Sequence, residues 1–258
     1  MGFCVSGRQP YSVLNKVEEI KLFEKDADKL YDFIEKIPHH SFVLCNWSGK
    51  LDVNFYKVCA EKLDKFCICL NFLSNYKELQ DNGINWYWEY PITNFVELSK
   101  LVALKPCYLQ IGAPLSFNLD AVTRIAGGIP LRLVVNEFGP DYFPTIETIR
   151  TQWIRPEDIQ RYGEKVAIFE FSTNGYENDP LKREQILLKI YEKESWPGNL
   201  NLLLPELGVN VDNRAILDNF GEIRMNCGQD CYSKRSCHYC ENAILFATRI
   251  KKEQNKNG

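Results

Sequence analysis

Short apolar runs alternate along this chain with amphipathic stretches of helical period, and that alternation predicts the architecture. Eight runs read as strands: VEEIKLF (17–23), SFVLCNW (41–47), KFCICLNF (65–72), NWYWEY (85–90), CYLQIG (107–112), PLRLVVNEF (130–138), RTQWI (150–154) and KVAIFEF (165–171). Helix-like segments lie between them, among them DADKLYDFIEKI, LDVNFYKVCAEKLD, NFVELSKLVALK and SFNLDAVTRIAG. Turns are marked by Pro38, Gly83, Pro106, Gly127, Gly128 and Gly163. Apolar strand cores such as LRLVV and VAIF suit strands buried on both faces. The expected fold class is α/β, a parallel (β/α)8 TIM-type barrel over residues 1–195 that ends with the long helix DPLKREQILLKIYEKES. A doubly wound open sheet has the same alternation and stays open as a second topology. Trp196-Pro197-Gly198-Asn199 breaks the long helix, and residues 196–250 read as a small cysteine-rich helical appendix, followed by a solvated tail at 251–258.

A β/α barrel does its chemistry at the C-terminal ends of its strands. Asn46, Asn71, Glu89, Gln110, Asn136, Glu137, Arg155 and Glu170 end or follow seven of the eight runs. Glu89, Glu137 and Glu170 are the expected catalytic carboxylates. If they converge, their repulsion raises at least one pKa toward the range of a general acid or base, or together they hold a divalent cation. Arg155 is expected beside them, able to grip a carboxylate or phosphate. The same segment, Arg155-Pro156-Glu157-Asp158, also has the composition of a helix start. Asn46, Asn71, Gln110 and Asn136 are expected to bind a cofactor or ligand. Strand ends are also polar for the simple reason that the chain turns into solvent there.

Composition narrows the class. The chain has 258 residues, 45% of them hydrophobic, with 34 acidic against 31 strongly basic side chains and a net charge of −3. No run approaches the roughly 20 apolar residues of a membrane span, and the start lacks a secretory signal, so a cytoplasmic protein is expected. Met1-Gly2-Phe3-Cys4-Val5-Ser6 does match the pattern for N-terminal myristoylation, with Cys4 available for a second acyl chain. Dinucleotide and phosphate loops, H-E-x-x-H and G-x-S-x-G are all absent, and three histidines leave little for a Ser-His or Cys-His hydrolase.

Ten cysteines fall into two groups. Cys4, Cys45, Cys59, Cys67, Cys69 and Cys107 sit mostly in apolar runs, where reduced thiols pack as small hydrophobes. Cys227, Cys231, Cys237 and Cys240 crowd into NCGQDCYSKRSCHYCENA with spacing C-x3-C-x5-C-x2-C, a ligand set for zinc or an iron–sulfur cluster in which His238 can replace one thiolate. Two disulfides or four free thiols are the alternative. Lys234, Arg235, Arg249, Lys251, Lys252 and Lys256 cluster on and after this loop, a local patch for nucleic acid or a solvated helix end.

WIRPEDIQRYG, the later KREQILLKIYEKESWPGNL and the ending NCGQDCYSKRSCHYC resemble the collagenase-like proteins of peptidase family U-thirty-two and their barrel relatives. The resemblance extends over about residues 85–248 and implies a β/α barrel. It also implies a four-iron four-sulfur cluster serving oxygen-independent modification of RNA or a small molecule at the barrel mouth, or else metal-dependent peptide hydrolysis. A non-catalytic binding or assembly module pinned by structural zinc is the third expectation.

Overall fold

The computed structural model describes residues 2–37, 40–135, 154–171, 180–192, 212–225, 227 and 237–246. Eight strands form one sheet: β1 (Gly2–Ser6), β2 (Glu19–Phe23), β3 (Ser41–Asn46), β4 (Phe66–Leu70), β5 (Trp86–Trp88), β6 (Leu109–Ile111), β7 (Leu131–Val135) and β8 (Val166–Phe171). Their order is β5-β4-β3-β2-β1-β8-β7-β6, and each pairing with a described register is parallel. The two ends of that order meet. Ile92 bridges Ile111 in parallel, Cys107 N–H donates to the Trp86 carbonyl at 2.8 Å, and Ile92 N–H donates to the Gln110 carbonyl at 2.8 Å, which nearly closes the sheet into a barrel.

Strand pairs are joined by helices, as parallel pairing requires. Val53–Lys62 and Phe95–Ala103 start on side-chain caps, Asp52 accepting from Phe55 N–H at 3.1 Å and Asn94 from Glu97 N–H at 2.9 Å. Gly127 and Gly128 at φ +60° and +93° turn the helix Leu119–Ala126 into β7, a left-handed pair that side chains resist. The strand faces divide sharply. Ile20, Leu22, Leu44, Ile68, Trp86, Leu131, Leu133 and Phe169 alternate onto one buried face. The opposite parity carries Cys4, Glu19, Lys21, Cys45, Cys67, Cys69, Tyr87, Gln110, Arg132 and Glu170. Those residues hydrogen-bond and stack across non-adjacent strands, so they fill the barrel interior.

The chain divides into two compact units. The first comprises residues 1–111, 121–133 and 165–170 and holds most of every strand; the second comprises 112–120, 134–164 and 171–258. Within the second, Arg155 grips Asp158 through Nε–Oδ2 and Nη2–Oδ1 contacts of 2.9 Å each and donates to the carbonyls of Ile216, Leu217 and Asp218. Gly221 lies against this pair so closely that a Cβ there would stand 2.1 Å from Asp158 Cγ. Arg224 lies over the Phe117 ring at 4.1 Å, and Phe220 stacks on Tyr239 at 6.0 Å.

Two expectations change. The run at 150–154 supplies no strand among the described residues: Ile154 is irregular and 150–153 lie outside them. The extended backbone of Arg155, φ −78° and ψ 130°, comes from Pro156, which excludes the helical region for its predecessor. The eighth strand is Gly2–Ser6, the segment that matches an acylation pattern. Cys4 is 1% exposed inside the barrel, so its thiol is closed to a second acyl chain in the folded protein.

Candidate functional site at the strand C-termini

The interior is organised by the two-residue period of its strands. Cys4 of β1 stands in register with Glu19 of β2 and Glu170 of β8; Lys21 with Val43; Cys45 with Cys69; Cys69 with Tyr87; Gln110 with Arg132. Equal parity sends all of these side chains inward. Two cations then face three carboxylates. Lys21 Nζ lies 2.9 Å from Glu89 Oε1 and 2.6 Å from Glu170 Oε1, while Arg132 Nη2 lies 2.8 Å from Glu170 Oε2 and Nη1 pairs with Glu19. The Arg132 guanidinium also covers the Tyr87 ring at 4.5 Å and the Tyr108 ring at 5.5 Å. Gln110 ties the layers together, donating to the Glu89 carbonyl and accepting from Arg132 Nε at 3.4 Å.

This arrangement reverses the expected repulsion at Glu170. Burial alone raises its pKa, but Lys21 and Arg132 outweigh burial and hold the carboxyl down at about 2. Burial lowers the pKa of Lys21, and Cys45, Glu170 and Glu89 around it more than restore it, to well above its ordinary value. Both groups are therefore charged at neutral pH, a preformed dipolar cluster rather than a carboxylate poised to donate a proton. Two polar atoms in this interior are buried without a hydrogen-bond partner, Tyr87 OH and Glu19 Oε2.

The thiols form a second layer. Glu89 divides its carboxylate: Oε1 takes Lys21, and Oε2 faces Cys69 Sγ in a hydrogen-bonding contact and Cys45 Sγ at 3.8 Å. One donor atom from each of Cys45, Cys69 and Glu89 lies within 4.8 Å of the others, a geometry able to hold a metal ion. Burial, then Cys45 and Glu89, push the Cys69 thiol well up.

Around the mouth stand three exposed aromatics. Trp47 (56% exposed) follows β3, Phe72 (50%) follows β4 and Tyr90 (50%) follows β5, three neighbouring strands. Phe23 meets Trp47 edge-on at 6.0 Å and Trp88 meets Tyr90 edge-on at 5.6 Å. Large apolar side chains at three successive strand ends differ from the scattered exposure that any surface shows.

The expected site residues separate. Glu89, Glu170 and Gln110 meet in the interior. Asn46 has the opposite parity to Cys45 and is a loop clamp, its Nδ2 donating to Glu24 Oε1 at 2.8 Å and Tyr56 OH at 3.2 Å. Asn71 is half-buried beside it, its N–H reaching the Asn46 carbonyl at 3.4 Å. Arg155 is 3% exposed and held by Asp158 within the second unit. Asn136 and Glu137 lie outside the described residues. So does Cys231, whereas Cys227, Cys237 and Cys240 are half-buried free thiols. Burial raises the Cys240 pKa, Arg224 opposes this, and the charges of Cys227 and Cys237 add to the rise. His238 Nδ1 lies 2.6 Å from Glu241 Oε2.

Lys21, Cys45, Cys69 and Arg132 share one signal: a charged or thiol side chain inside an apolar run marks an inward position once the fold is a barrel. The aromatic rim has its own signal, because Asn46-Trp47, Asn71-Phe72 and Glu89-Tyr90 repeat a polar–aromatic pair after three successive strands.

Fold and site together define a parallel β/α barrel with exposed aromatics after three neighbouring strands and a buried ionic and thiol interior. No family model matches the chain. Over 108 residues it is 32% identical to a protein of Methanocaldococcus jannaschii described as an uncharacterized protease, a match that covers 40% of this chain and 30% of that protein. The chain thus spans about 30% of the length of this curated relative. No helix among the described residues is long and apolar enough to cross a membrane.

Proposed function

We propose that this chain is a barrel enzyme of the collagenase-like peptidase type that modifies a planar ring, an RNA base or a small aromatic molecule, held at the barrel mouth. The observation that carries the reading is the exposure of Trp47, Phe72 and Tyr90 just after β3, β4 and β5, the strand ends at which Glu89 meets Lys21. Rings at the rim stack on a planar substrate, and the charged cluster below offers an ammonium donor and carboxylate acceptors to its polar edge. Two cations face three carboxylates in this interior, so it suits an uncharged ring better than a phosphate.

Cys227, Cys231, Cys237 and Cys240 carry the cofactor in this reading, a four-iron four-sulfur cluster that supplies electrons for an oxygen-independent reaction. The spacing C-x3-C-x5-C-x2-C supports a shared centre. Protein isolated without oxygen is then brown and holds iron with sulfide. A single zinc and no iron makes the loop a structural clip.

Peptide hydrolysis is the second reading, favoured by the description of the archaeal relative. Fluorescence anisotropy with a labelled single-stranded RNA, competed by free nucleosides, separates the two. Stacking on aromatic rings is worth about 1–3 kcal/mol per base. Replacing Trp47, Phe72 and Tyr90 together by Ser should therefore weaken binding at least about tenfold, while turnover of unstructured peptides without any effect of these substitutions supports hydrolysis instead.

A further inference from the structure

We propose that Cys45, Cys69 and Glu89 form a second metal centre, a tridentate site for zinc or a similar divalent transition metal inside the barrel mouth, separate from the C-terminal cysteine loop. The donor set is two soft sulfurs and one carboxylate oxygen, and three protein ligands leave the fourth tetrahedral position to water or substrate, as in catalytic zinc sites. This inference stands apart from the reading of the loop as a cluster site.

The geometry is close to that of a bound ion. Donors on bonds of about 2.3 Å at tetrahedral angles stand about 3.8 Å apart. Cys45 Sγ lies 3.8 Å from Glu89 Oε2, Cys69 Sγ hydrogen-bonds the same oxygen, and all three donor atoms fall within 4.8 Å of one another. The backbone fixes this triangle: Cys45 and Cys69 are register partners in adjacent strands, and Glu89 N–H donates to the Leu70 carbonyl at 3.0 Å.

Charge and orientation agree. Lys21 holds Glu89 Oε1, leaving Oε2 toward the sulfurs, the position of an outer partner that orients a metal-bound carboxylate. Lys21 and Arg132 leave one of the carboxylates Glu19, Glu89 and Glu170 uncompensated, so the interior favours cation entry. Binding exchanges two thiol protons for one divalent ion, M2+ + 2 RSH → M(SR)2 + 2 H+, and the net charge of the interior is unchanged. Tyr87, the register partner of Cys69, has a fully buried hydroxyl without a hydrogen-bond partner beside this triangle. Cys67 provides the contrast. It pairs with Cys107, has no carboxylate as a hydrogen-bonding partner, and supplies an internal control.

The test uses the full chain with Cys227, Cys231, Cys237 and Cys240 replaced by Ser, titrated with cobalt(II) and then zinc(II). One equivalent should bind with a thiolate-to-cobalt charge-transfer band. Cys45→Ser or Cys69→Ser should abolish that band, Glu89→Gln should weaken binding by at least about tenfold, and Cys67→Ser should change nothing. X-ray absorption on the zinc form needs no barrel substitution and should find two sulfur neighbours at about 2.3 Å. If the four-serine background does not fold, the unsubstituted chain should bind one zinc equivalent more than its Cys45→Ser variant. Absence of cobalt binding, a band that survives loss of Cys45 and Cys69, a sulfur-free zinc shell or equal zinc content in that last comparison each overturns the proposal.

Discussion

At Glu170 the decisive fact is which charges stand beside it. Its carboxyl is buried, yet Lys21 at 2.6 Å and Arg132 at 2.8 Å keep it ionised, with a pKa lowered from 4.5 to about 2. A carboxylate whose folded pKa is depressed stabilises the fold above its unfolded pKa, and that contribution is lost as pH falls from about 4.5 through about 2. Urea denaturation across that window should show falling stability in the parent and a flatter profile in Glu170→Gln. At neutral pH the same variant should lose about 3 kcal/mol or more, because it removes the buried carboxylate that Lys21 and Arg132 both pair with. The sequence announced Glu170 and Glu89 as strand-end acids but not their partners. Lys21 and Arg132 read in EIKLF and LRLVV as ordinary interruptions of apolar runs, and only the cross-barrel register brings residues 149 positions apart into contact.

Elements were legible in proportion to how local their causes are. Seven strands and the helices Lys29–Lys36, Val53–Lys62, Phe95–Ala103 and Leu119–Ala126 follow the apolar period closely, the second and third starting on side-chain caps. Gly2–Ser6 escaped because GFCVS is a five-residue strand whose stability comes from β2 and β8 on either side, not from its own pattern. Of RTQWI only Ile154 lies among the described residues, and the extended backbone of Arg155 after it is set by Pro156. In the second unit the turn at Pro156–Asp158 and the helix Phe220–Met225 share one tight contact, the missing Cβ of Gly221 beneath Asp158. Gly221→Ala puts a methyl carbon 2.1 Å from the carboxyl carbon and must displace the Arg155–Asp158 pair. Thermal unfolding should register a loss of roughly 1–3 kcal/mol, the usual cost of overpacking, and none of that loss should appear in the exposed control Ile223→Ala.

For the whole molecule, the barrel was readable from alternation alone, and the four-cysteine loop from spacing alone. The interior was not, because a barrel inverts the usual expectation for a strand with one polar parity: Glu19, Lys21, Gln110 and Arg132 point inward, and the apolar parity packs on the other side of the sheet. The rim of Trp47, Phe72 and Tyr90 likewise depends on β3, β4 and β5 being neighbours, which sequence order suggests and the sheet order establishes. The central claim is that this mouth receives a planar base. It is tested most directly by photocrosslinking RNA containing 4-thiouridine to the full chain and mapping the adducts by mass spectrometry. Adducts on Trp47, Phe72 or Tyr90 that free nucleosides compete away are the expected result; adducts confined to the basic segment around Lys251 and Lys252, with none at the rim, would contradict it.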